Sequence, residues 1–524
     1  MIIPAMTPPQ LRAATSDDRL CYVKAGPGSG KTFTAAEAFG YLRLVRFRDD
    51  NRGICGVTFA RSARRELTTR VSARWGRRVA RWPNAICTFD ELHRRLIRYL
   101  VQTGHVEWPG DGLPDTPEDS WAQHMDASSK PGKRPRLRLG LDQNGEISTF
   151  ETHCKIDAPS PVFLDHNKFM AALNSGACTH ADVRNVLRDA INECKHPQLN
   201  DAIRECLSGS YCHLIVDEAF DMNPLDIAVV QRAIEADLSV TIVGDPWQSL
   251  YEFRGATPQQ VEAMIANQPF RRIDMPGEHR YKSQEMLELA RALFDNEPFG
   301  VRPYAKDEEF DVVLAHDWGT LWDETRISTL PAGKPSKLDR GLMASAFILL
   351  LNEVVRDRFR LEAAGTAEAR RALVIDDASD SLVPVVNAVR DSKITEHEIW
   401  ALLRSTFQPD ECNWPNPGKI ANGCLHRLVE VERDSHPPLL GLSVHQAKGL
   451  EWDRVLFLDG ELTTNSEELN RLDINQLRHR NVYVALTRAQ SILRIAHVTT
   501  KTWGFRRSPI ERIRKPSSTS ATTG

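Results

Sequence analysis

The fold of this chain is decided by a stretch near its amino terminus, Leu20-Cys21-Tyr22-Val23-Lys24-Ala25-Gly26-Pro27-Gly28-Ser29-Gly30-Lys31-Thr32. The apolar run Leu20–Ala25 predicts a buried strand, and the pattern over Thr32–Leu44 predicts a helix. The segment between them has the Walker A spacing, with Ala25 in place of the first glycine. Small residues there let backbone N–H groups close around phosphate oxygens at a helix amino terminus. Lys31 would neutralise the phosphates and Thr32 would bind Mg²⁺; the strand–loop–helix context favours this over a chance glycine-rich turn.

A second predicted strand, His213–Asp217, ends in two acids. Asp217 would hold Mg²⁺, and Glu218 would polarise an attacking water. Acids end many strands, but this pair follows the phosphate loop and two further strand-like runs. We therefore interpret it as the second half of a nucleotide site.

Short β-rich runs alternate with amphipathic segments along the chain, which is typical of parallel sheets covered by helices. The predicted strands of the first block are Leu20–Ala25, Ile54–Ala60, Ala85–Phe89, His213–Asp217 and Val240–Asp245. Its predicted helices are Thr32–Leu44, Ala63–Trp75 and Asp90–Leu100. The pattern breaks between Gly104 and Gly209, which we interpret as an insertion of loop and helix. The basic run Lys130–Arg138 within it is either a DNA-facing loop or a solvated linker.

A second alternating block begins near Arg271. Its predicted strands are Asp311–Ala315, Ala372–Asp376, Gly441–Gln446, Arg454–Asp459 and Ile492–Val498. Its predicted helices are Leu342–Arg356, a helix that follows Asp376 and ends near Arg390, Glu396–Ser405 and Gln476–Arg488. Residues 392–438 interrupt the pattern with helix and a Pro/Asn-rich loop, so each block carries one insertion.

Composition is that of an ordinary globular protein: 524 residues, 41% hydrophobic and 26% charged, with a net charge of −3. No apolar run approaches the roughly 18 residues of a membrane span, and the start of the chain lacks a signal-peptide pattern, so we expect a cytoplasmic protein without membrane contact. The nearly balanced charge excludes a protein whose whole surface is basic, but it is compatible with a basic groove. The ten cysteines are scattered. A metal site around Cys194, His196, Cys206, Cys212 and His213 is the alternative to reduced, structural cysteines.

A series of further motifs resembles the UvrD/Rep family of superfamily 1 DNA helicases, in the family's order and over most of the chain. In chain order these are Pro8-Pro9-Gln10, the Walker A loop, Thr58–Ala63, Cys87–Asp90, Asp217–Asp221, Gly244–Ala256, Glu278-His279-Arg280, Val444–Trp452 and Val482–Ala489. The resemblance implies two RecA-like parallel-sheet domains. It assigns residues 1–100 and 210–270 to the first and 271–391 and 439–515 to the second. The insertions are then 101–209 and 392–438, each largely helical, with a disordered tail at 516–524.

The resemblance also implies site residues. The catalytic set is Lys31, Asp217, Glu218, Gln248, Arg280 and Arg488, the last two being arginines that reach the γ-phosphate from the second domain. The nucleotide set is Gln10, Ala25, Gly26, Pro27, Gly28, Ser29, Gly30, Lys31, Thr32, His279 and Glu451, with Thr32 and Asp217 on Mg²⁺. The DNA set is Thr58, Phe59, Thr88, Phe89, Tyr251, Phe253, Arg254 and His445. The implied activity is ATP-driven stepping along single-stranded DNA or a tailed duplex, in the 3′ to 5′ direction.

Three features depart from the family pattern. Phe220 replaces a glutamine, His279 replaces a tyrosine that stacks on adenine, and the second insertion is short. The short insertion resembles the compact UvrD-like subunits of Gabija-type antiphage systems. A second hypothesis is therefore an ATP-dependent sensor of DNA ends that regulates a partner nuclease. An RNA helicase is a third, which the sequence around Val444–Trp452 disfavours.

Overall fold

The computed structural model describes residues 6–109, 116–118, 132–156, 166–175, 177–192, 194–250, 252, 255–277, 279–305, 308–324, 327–335, 338, 342–373, 379–407, 416–435, 437–465 and 467–498. The chain forms two units, Met1–His279 and Arg280–Gly524, each with its own parallel sheet. No helix within these ranges is long and apolar enough to cross a membrane.

The amino-terminal unit is built on a six-stranded parallel sheet in the order β10-β1-β9-β8-β2-β3. These strands are β1 (Leu20–Ala25), β2 (Gly53–Thr58), β3 (Ala85–Thr88), β8 (Tyr211–Val216), β9 (Ser239–Gly244) and β10 (Arg271–Met275). All residues of β2, β8 and β9 are buried, as expected for strands covered on both faces. The predicted strands of the first block are thus confirmed to within two residues at each end.

Nine α-helices occur among the described residues of this unit. They are α1 (Pro8–Ala14), α2 (Lys31–Tyr41), α3 (Arg61–Trp75), α4 (Phe89–Gln102), α5 (His166–Asn174), α6 (His180–Ala190), α7 (Pro197–Ser210), α8 (Pro224–Glu235) and α9 (Pro258–Ala266). The three predicted helices correspond to α2, α3 and α4. Helix α4 begins at a reciprocal capping box between Thr88 and Glu91 and buries Leu92, Leu96 and Leu100 on one face.

The boundary placed at Arg271 differs from the structure, because β10 pairs in parallel with β1 at the edge of the first sheet. Its residues are mostly exposed, so the strand lacks the apolar run that marks the central strands. The second block therefore starts after β10.

The insertion at residues 101–209 is not only loop and helix. It also contains β4 (Thr116–Glu118), β5 (Gly132–Leu141), β6 (Ile147–Ile156) and β7 (Ala177–Thr179), with β5 and β6 forming an antiparallel hairpin. The prediction that the basic run is a loop or linker was wrong from Gly132 onward. Arginines at 134, 136 and 138 alternate with leucines at 137, 139 and 141, and this period of two is that of a strand.

The carboxy-terminal unit has a five-stranded parallel sheet in the order β12-β13-β11-β14-β15. The strands are β11 (Val312–Ala315), β12 (Thr329–Pro331), β13 (Leu439–Ser443), β14 (Trp452–Asp459) and β15 (Ala489–His497). Around the sheet lie α10 (Gln284–Asp295), α11 (Trp318–Asp323), α12 (Leu342–Phe359), α13 (Thr366–Leu373), α14 (Ser379–Arg390), α15 (Glu396–Phe407), α16 (Lys419–Glu432), α17 (Val444–Ala447) and α18 (Leu477–Leu486). The predicted class, two parallel α/β units, is confirmed.

In its described residues, the connection between neighbouring strands β12 and β13 carries five helices, α12 to α16. The strand predicted at Ala372–Asp376 was wrong for its first two residues, which end α13; residues 374–378 lie outside the described ranges. Helices α12, α14 and α16 are joined by the fully buried carboxylate of Glu432, which accepts hydrogen bonds from Arg358 and Arg390. This helical insertion therefore extends beyond the predicted segment 392–438.

Candidate nucleotide and DNA site

The phosphate loop connects the end of β1 to the start of α2. Gly28 and Gly30 adopt positive φ angles of 71° and 77°, which a residue with a Cβ rarely adopts. The loop is held from outside, because the Gly26 amide donates to the Met275 carbonyl at 3.0 Å. A Cβ on Gly277 would lie 1.6 Å from the Pro27 carbonyl oxygen, so that residue must be glycine for the chain to pass. The loop thus presents its backbone at the helix amino terminus, where an anion is stabilised.

Lys31 lies at the centre of a polar chain. Its ammonium group donates to Gln248 Oε1 at 2.9 Å and is 4.0 Å from Glu218 Oε1. The Gln248 amide in turn donates to Asp245 Oδ2 at 2.8 Å. Lys31 and Gln248, predicted as separate motifs, are therefore in direct contact. Asp245 was missed as a positioning residue; its place at the end of β9 was the signal.

Asp217 and Thr32 meet at the predicted Mg²⁺ position. Thr32 Oγ1 donates to Asp217 Oδ2 at 3.3 Å, and the Glu218 amide donates to Asp217 Oδ1 at 3.0 Å. Burial, and then the neighbouring Glu218 charge, raises the pKa of Asp217 to about 7, against the opposing effect of Lys31. A buried carboxylate beside a hydroxyl is a donor set that suits a hard cation, so these residues fit Mg²⁺.

Glu218 adopts a left-handed backbone conformation with φ 56°, which is uncommon for a residue with a long side chain. It follows the last residue of β8 by two positions and begins a 3₁₀ turn, Ala219–Asp221. Its side chain is about one-third exposed, whereas Asp217 is buried. Phe220, which departs from the family pattern, is a core residue in edge-to-face contact with Tyr22 at 6.0 Å.

Gln10 joins α1 to the phosphate loop. Its amide nitrogen donates to the Ser29 carbonyl at 2.8 Å, and its Oε1 accepts from the Thr7 amide at 2.9 Å. Within the described ranges the buried hydroxyl of Ser29 has no hydrogen-bond partner. A phosphate oxygen would satisfy that hydroxyl, which is a second reason that a nucleotide fits here.

The predicted DNA-contacting residues of β2 and β3 lie at one edge of the sheet, where Thr58 and Thr88 are register partners. Phe59 is partly buried and its ring lies 5.1 Å from that of Phe89. Phe89 itself is only 4% exposed and belongs to the core, so the structure presents Phe59 and not Phe89 to a base. Thr88 is used as the cap of α4. Tyr251, Phe253 and Arg254 lie outside the described residues.

In the carboxy-terminal unit, three segments carrying predicted site residues are bonded together. Arg280 Nε lies 2.6 Å from Glu451 Oε2, and Arg280 Nη1 donates to the Thr487 carbonyl at 3.0 Å. Arg488 is 2% exposed and donates to the carbonyls of Leu450 and Val484. A role for Arg488 on a phosphate would require it to exchange these partners. His445, at the start of α17, is partly exposed, and His279 is exposed.

No group of three metal-binding side chains occurs in the part of the chain that the structure describes. Of the proposed Cys/His set, Cys194 is exposed while His196, Cys212 and His213 are buried. Burial lowers the pKa of His213 to about 3, so its ring is neutral, and Nε2 is 2.9 Å from Thr241 Oγ1. We therefore interpret these residues as reduced cysteines and histidines with structural roles.

Comparison with known proteins agrees with this geometry. The UvrD/REP helicase N-terminal domain family matches residues 6–269, and the UvrD-like helicase C-terminal domain family matches residues 439–496. The ATP-dependent DNA helicase Rep of Salmonella typhimurium is 26% identical over 284 residues, covering 53% of this chain and 41% of Rep. Rep of Escherichia coli is 25% identical over 299 residues, 56% of this chain and 44% of that protein.

The ATP-dependent DNA helicase UvrD1 of Mycobacterium tuberculosis is 23% identical over 320 residues, covering 56% of this chain and 39% of UvrD1. The matched region thus spans less than half the length of these curated relatives. The first family match alone covers half of this chain and contains the whole phosphate site. The resemblance drawn from the motifs is confirmed, and the chain belongs to the UvrD/REP helicase family.

Proposed function

We propose that this protein is an ATP-dependent translocase and helicase that steps along single-stranded DNA in the 3′ to 5′ direction. The observation that carries the proposal is the chain of contacts Lys31–Gln248–Asp245. It ties the phosphate loop to the segment that leads into Tyr251 and Phe253, the predicted base-stacking residues. A change at the phosphate site is thereby passed to the DNA site. The relatives named as ATP-dependent DNA helicases support the same conclusion.

Each side chain has a role that its surroundings suit. Lys31 binds the β- and γ-phosphates, Glu218 orients the attacking water, and Thr32 and Asp217 hold Mg²⁺. The cation would supply charge neutralisation for phosphoryl transfer. Arginine from the carboxy-terminal unit, Arg280 foremost, stabilises the transferring phosphoryl group. Loss of such an arginine reduces turnover by roughly 10³–10⁵-fold in related chemistry.

Stepping requires the two units to hold the strand alternately. Nucleotide binding favours one conformation of the motor and hydrolysis favours another, so that one set of DNA contacts is exchanged for a second set in each cycle. Phosphates and stacked bases supply the grip, so binding is tolerant of sequence and weakens with salt.

The test compares ATP turnover without nucleic acid and with single-stranded DNA, RNA or blunt duplex. Single-stranded DNA should stimulate most. A strand labelled at its 5′ end should then report arrival of the motor, whereas a strand labelled at its 3′ end should not. Glu218→Gln is the matched control, because it keeps the shape of the site and should bind the strand without moving. Stimulation by RNA alone, or arrival at the 3′ end, would contradict the proposal.

A further inference from the structure

An arginine-rich surface, here called the α3 strip, runs along α3 and the turn after it, over residues 61–82. These residues include eight arginines and a single acid, Glu66. Arg65, Arg77, Arg78 and Arg81 are all exposed. In a chain whose net charge is −3, this is a strong local concentration of positive charge.

The strip ends at an aromatic side chain that lies in water. Trp82 is 90% exposed, more than any other large apolar side chain in the described ranges. The turn beneath it is rigid: the Ile54 amide donates to Asn84 Oδ1 at 2.9 Å, and Asn84 Nδ2 donates to the Val79 carbonyl at 3.0 Å. These bonds hold the backbone of the turn, so binding of a flat partner has only the two side-chain torsions of the indole left to order.

Two grooves adjoin this turn. One, of about 580 Å³, lies between α3 and β3 and is lined by Arg61, Arg65, Thr68 and Ile86 among others. It lies beside an edge strand, and the guanidinium groups and hydroxyls in its lining match phosphate oxygens.

The second groove, of about 520 Å³, is lined by Trp82, Asn84, Arg52 and Tyr211 among others. It lies where β2, β3 and β8 begin, at the opposite end of the sheet from the phosphate loop. Arg52 is fixed there by its ion pair with Asp50. An aromatic face next to a fixed cation is the combination that binds single-stranded nucleic acid.

The strip connects with the predicted DNA site. Helix α3 begins two residues after Phe59 and has 15 residues, which corresponds to about 22 Å. That length matches about six phosphates of a stacked strand at about 3.4 Å each. The acids that adjoin α3, Glu66, Glu91 and Glu37, are each paired with an arginine of the strip, Arg70, Arg64 and Arg74 respectively, so Arg65, Arg77, Arg78 and Arg81 are the arginines that we expect a strand leaving Phe59 to meet.

We propose that the α3 strip is a second binding site for single-stranded DNA, with phosphates on the arginines and a base stacked on Trp82. The inference rests on the proposed function in one respect, that the ligand is the strand on which the motor acts. A duplex offers no open base face to the indole, and an acidic protein would use the charge but not require the flat ring.

The experiment measures the affinity of the whole protein for a labelled thymidine strand of about 25 nucleotides, by anisotropy, over a range of salt concentrations. Trp82→Ala should weaken binding about 5- to 150-fold, as expected for one lost stack, and Trp82→Phe should restore most of it. Replacing Arg78 and Arg81 together with alanine should reduce the slope of log K against log salt by about 1.4. Arg188→Ala, an exposed arginine elsewhere, should change neither quantity.

Basal ATP turnover without DNA should be the same in Trp82→Ala as in the wild type, and so should the thermal midpoint. Wild-type affinity for the strand in Trp82→Ala would overturn the proposal while leaving the motor intact. The same titration with polyglutamate tests an acidic protein as the occupant: if replacing Arg78 and Arg81 with alanine abolished polyglutamate binding but left the affinity for the strand unchanged, the proposal would also be overturned. If the wild type bound no strand at all, both this inference and the proposed function would fail.

Discussion

Asp245→Asn tests whether the polar chain from Lys31 to Asp245 couples DNA to hydrolysis. The Asp245 carboxylate accepts from Gln248 Nε2 at 2.8 Å and from the Trp247 amide at 3.1 Å, and its residue is 2% exposed. Asparagine offers one acceptor for these two donors. Either Gln248 rotates and turns its own NH₂ toward the Lys31 ammonium, or a buried donor is left unpaired.

Losing one hydrogen bond to a charged group costs about 1.5–3 kcal/mol. If this loss falls on the transition state, DNA-stimulated kcat should fall about 10- to 150-fold, with nucleotide affinity nearly unchanged. Stimulated turnover and nucleotide binding are measured on the same preparation, after its thermal midpoint is checked. Asp274→Asn, at an exposed position on β10, is the matched control and should behave as the wild type. Stimulated turnover within threefold of wild type in Asp245→Asn would refute the reasoning.

Three further predictions concern the phosphate loop, the two arginines of the carboxy-terminal unit and a buried histidine. Lys31→Ala should abolish ATP turnover without unfolding the protein, because the ammonium faces a polar site; turnover within a few-fold of wild type would remove Lys31 from the phosphate site. Arg280→Ala should keep nucleotide binding and lose hydrolysis by orders of magnitude. Arg488→Ala should have the same effect and should also lower the thermal midpoint, because it leaves buried carbonyls unpaired. A midpoint of Arg488→Ala equal to that of Arg280→Ala would contradict this. His213 should make an acid-sensitive contribution to stability: the unfolded state takes up its proton below about pH 6.5 and the folded state only near pH 3, so this contribution falls by about 2 kcal/mol at pH 5, while the raised pKa of Asp217 acts in the opposite direction. Denaturant unfolding of the wild type and of His213→Gln at pH 7 and at pH 5 checks it. On going from pH 7 to pH 5, the wild type should lose more unfolding free energy than the variant.

The sequence predicted the central strands well because their signals are local. Strand β1 is an apolar run closed by Gly26-Pro27-Gly28, and α4 begins at a capping pair three residues apart. Strand β10 was missed because an edge strand can carry charged residues on both faces. The hairpin of β5 and β6 was missed because the basic run was interpreted from its charge and not from the alternation of arginine and leucine along it.

The residues of the candidate site could be predicted from the sequence, but the contacts between them could be predicted less well. Walker A spacing located Lys31 and Thr32, and the acids after β8 located Asp217. Nothing in the sequence distinguishes Phe59, which is partly exposed, from Phe89, which lies in the core, because both follow a strand that ends in threonine. The role of Asp245 depends on a contact between its carboxylate and Gln248, which only the folded backbone creates.

The arrangement in the carboxy-terminal unit bears on how an arginine could report a phosphate. Arg280 bonds both the Glu451 carboxylate and the Thr487 carbonyl, while Arg488 bonds the Leu450 carbonyl. The three segments at 280, 450–451 and 487–488 therefore form one bonded group, with no single member able to shift alone at low cost. A negative charge that attracts Arg280 away from Glu451 removes one of its two anchors and weakens the other. The side-chain contacts of Arg488 with the Leu450 and Val484 carbonyls do not involve Arg280, so displacement of Arg280 leaves them in place. Moving Arg280 therefore breaks a partly exposed ion pair and one hydrogen bond, whereas moving Arg488 leaves two carbonyls of the buried contact unpaired, so the two arginines are not equally free to reach a ligand.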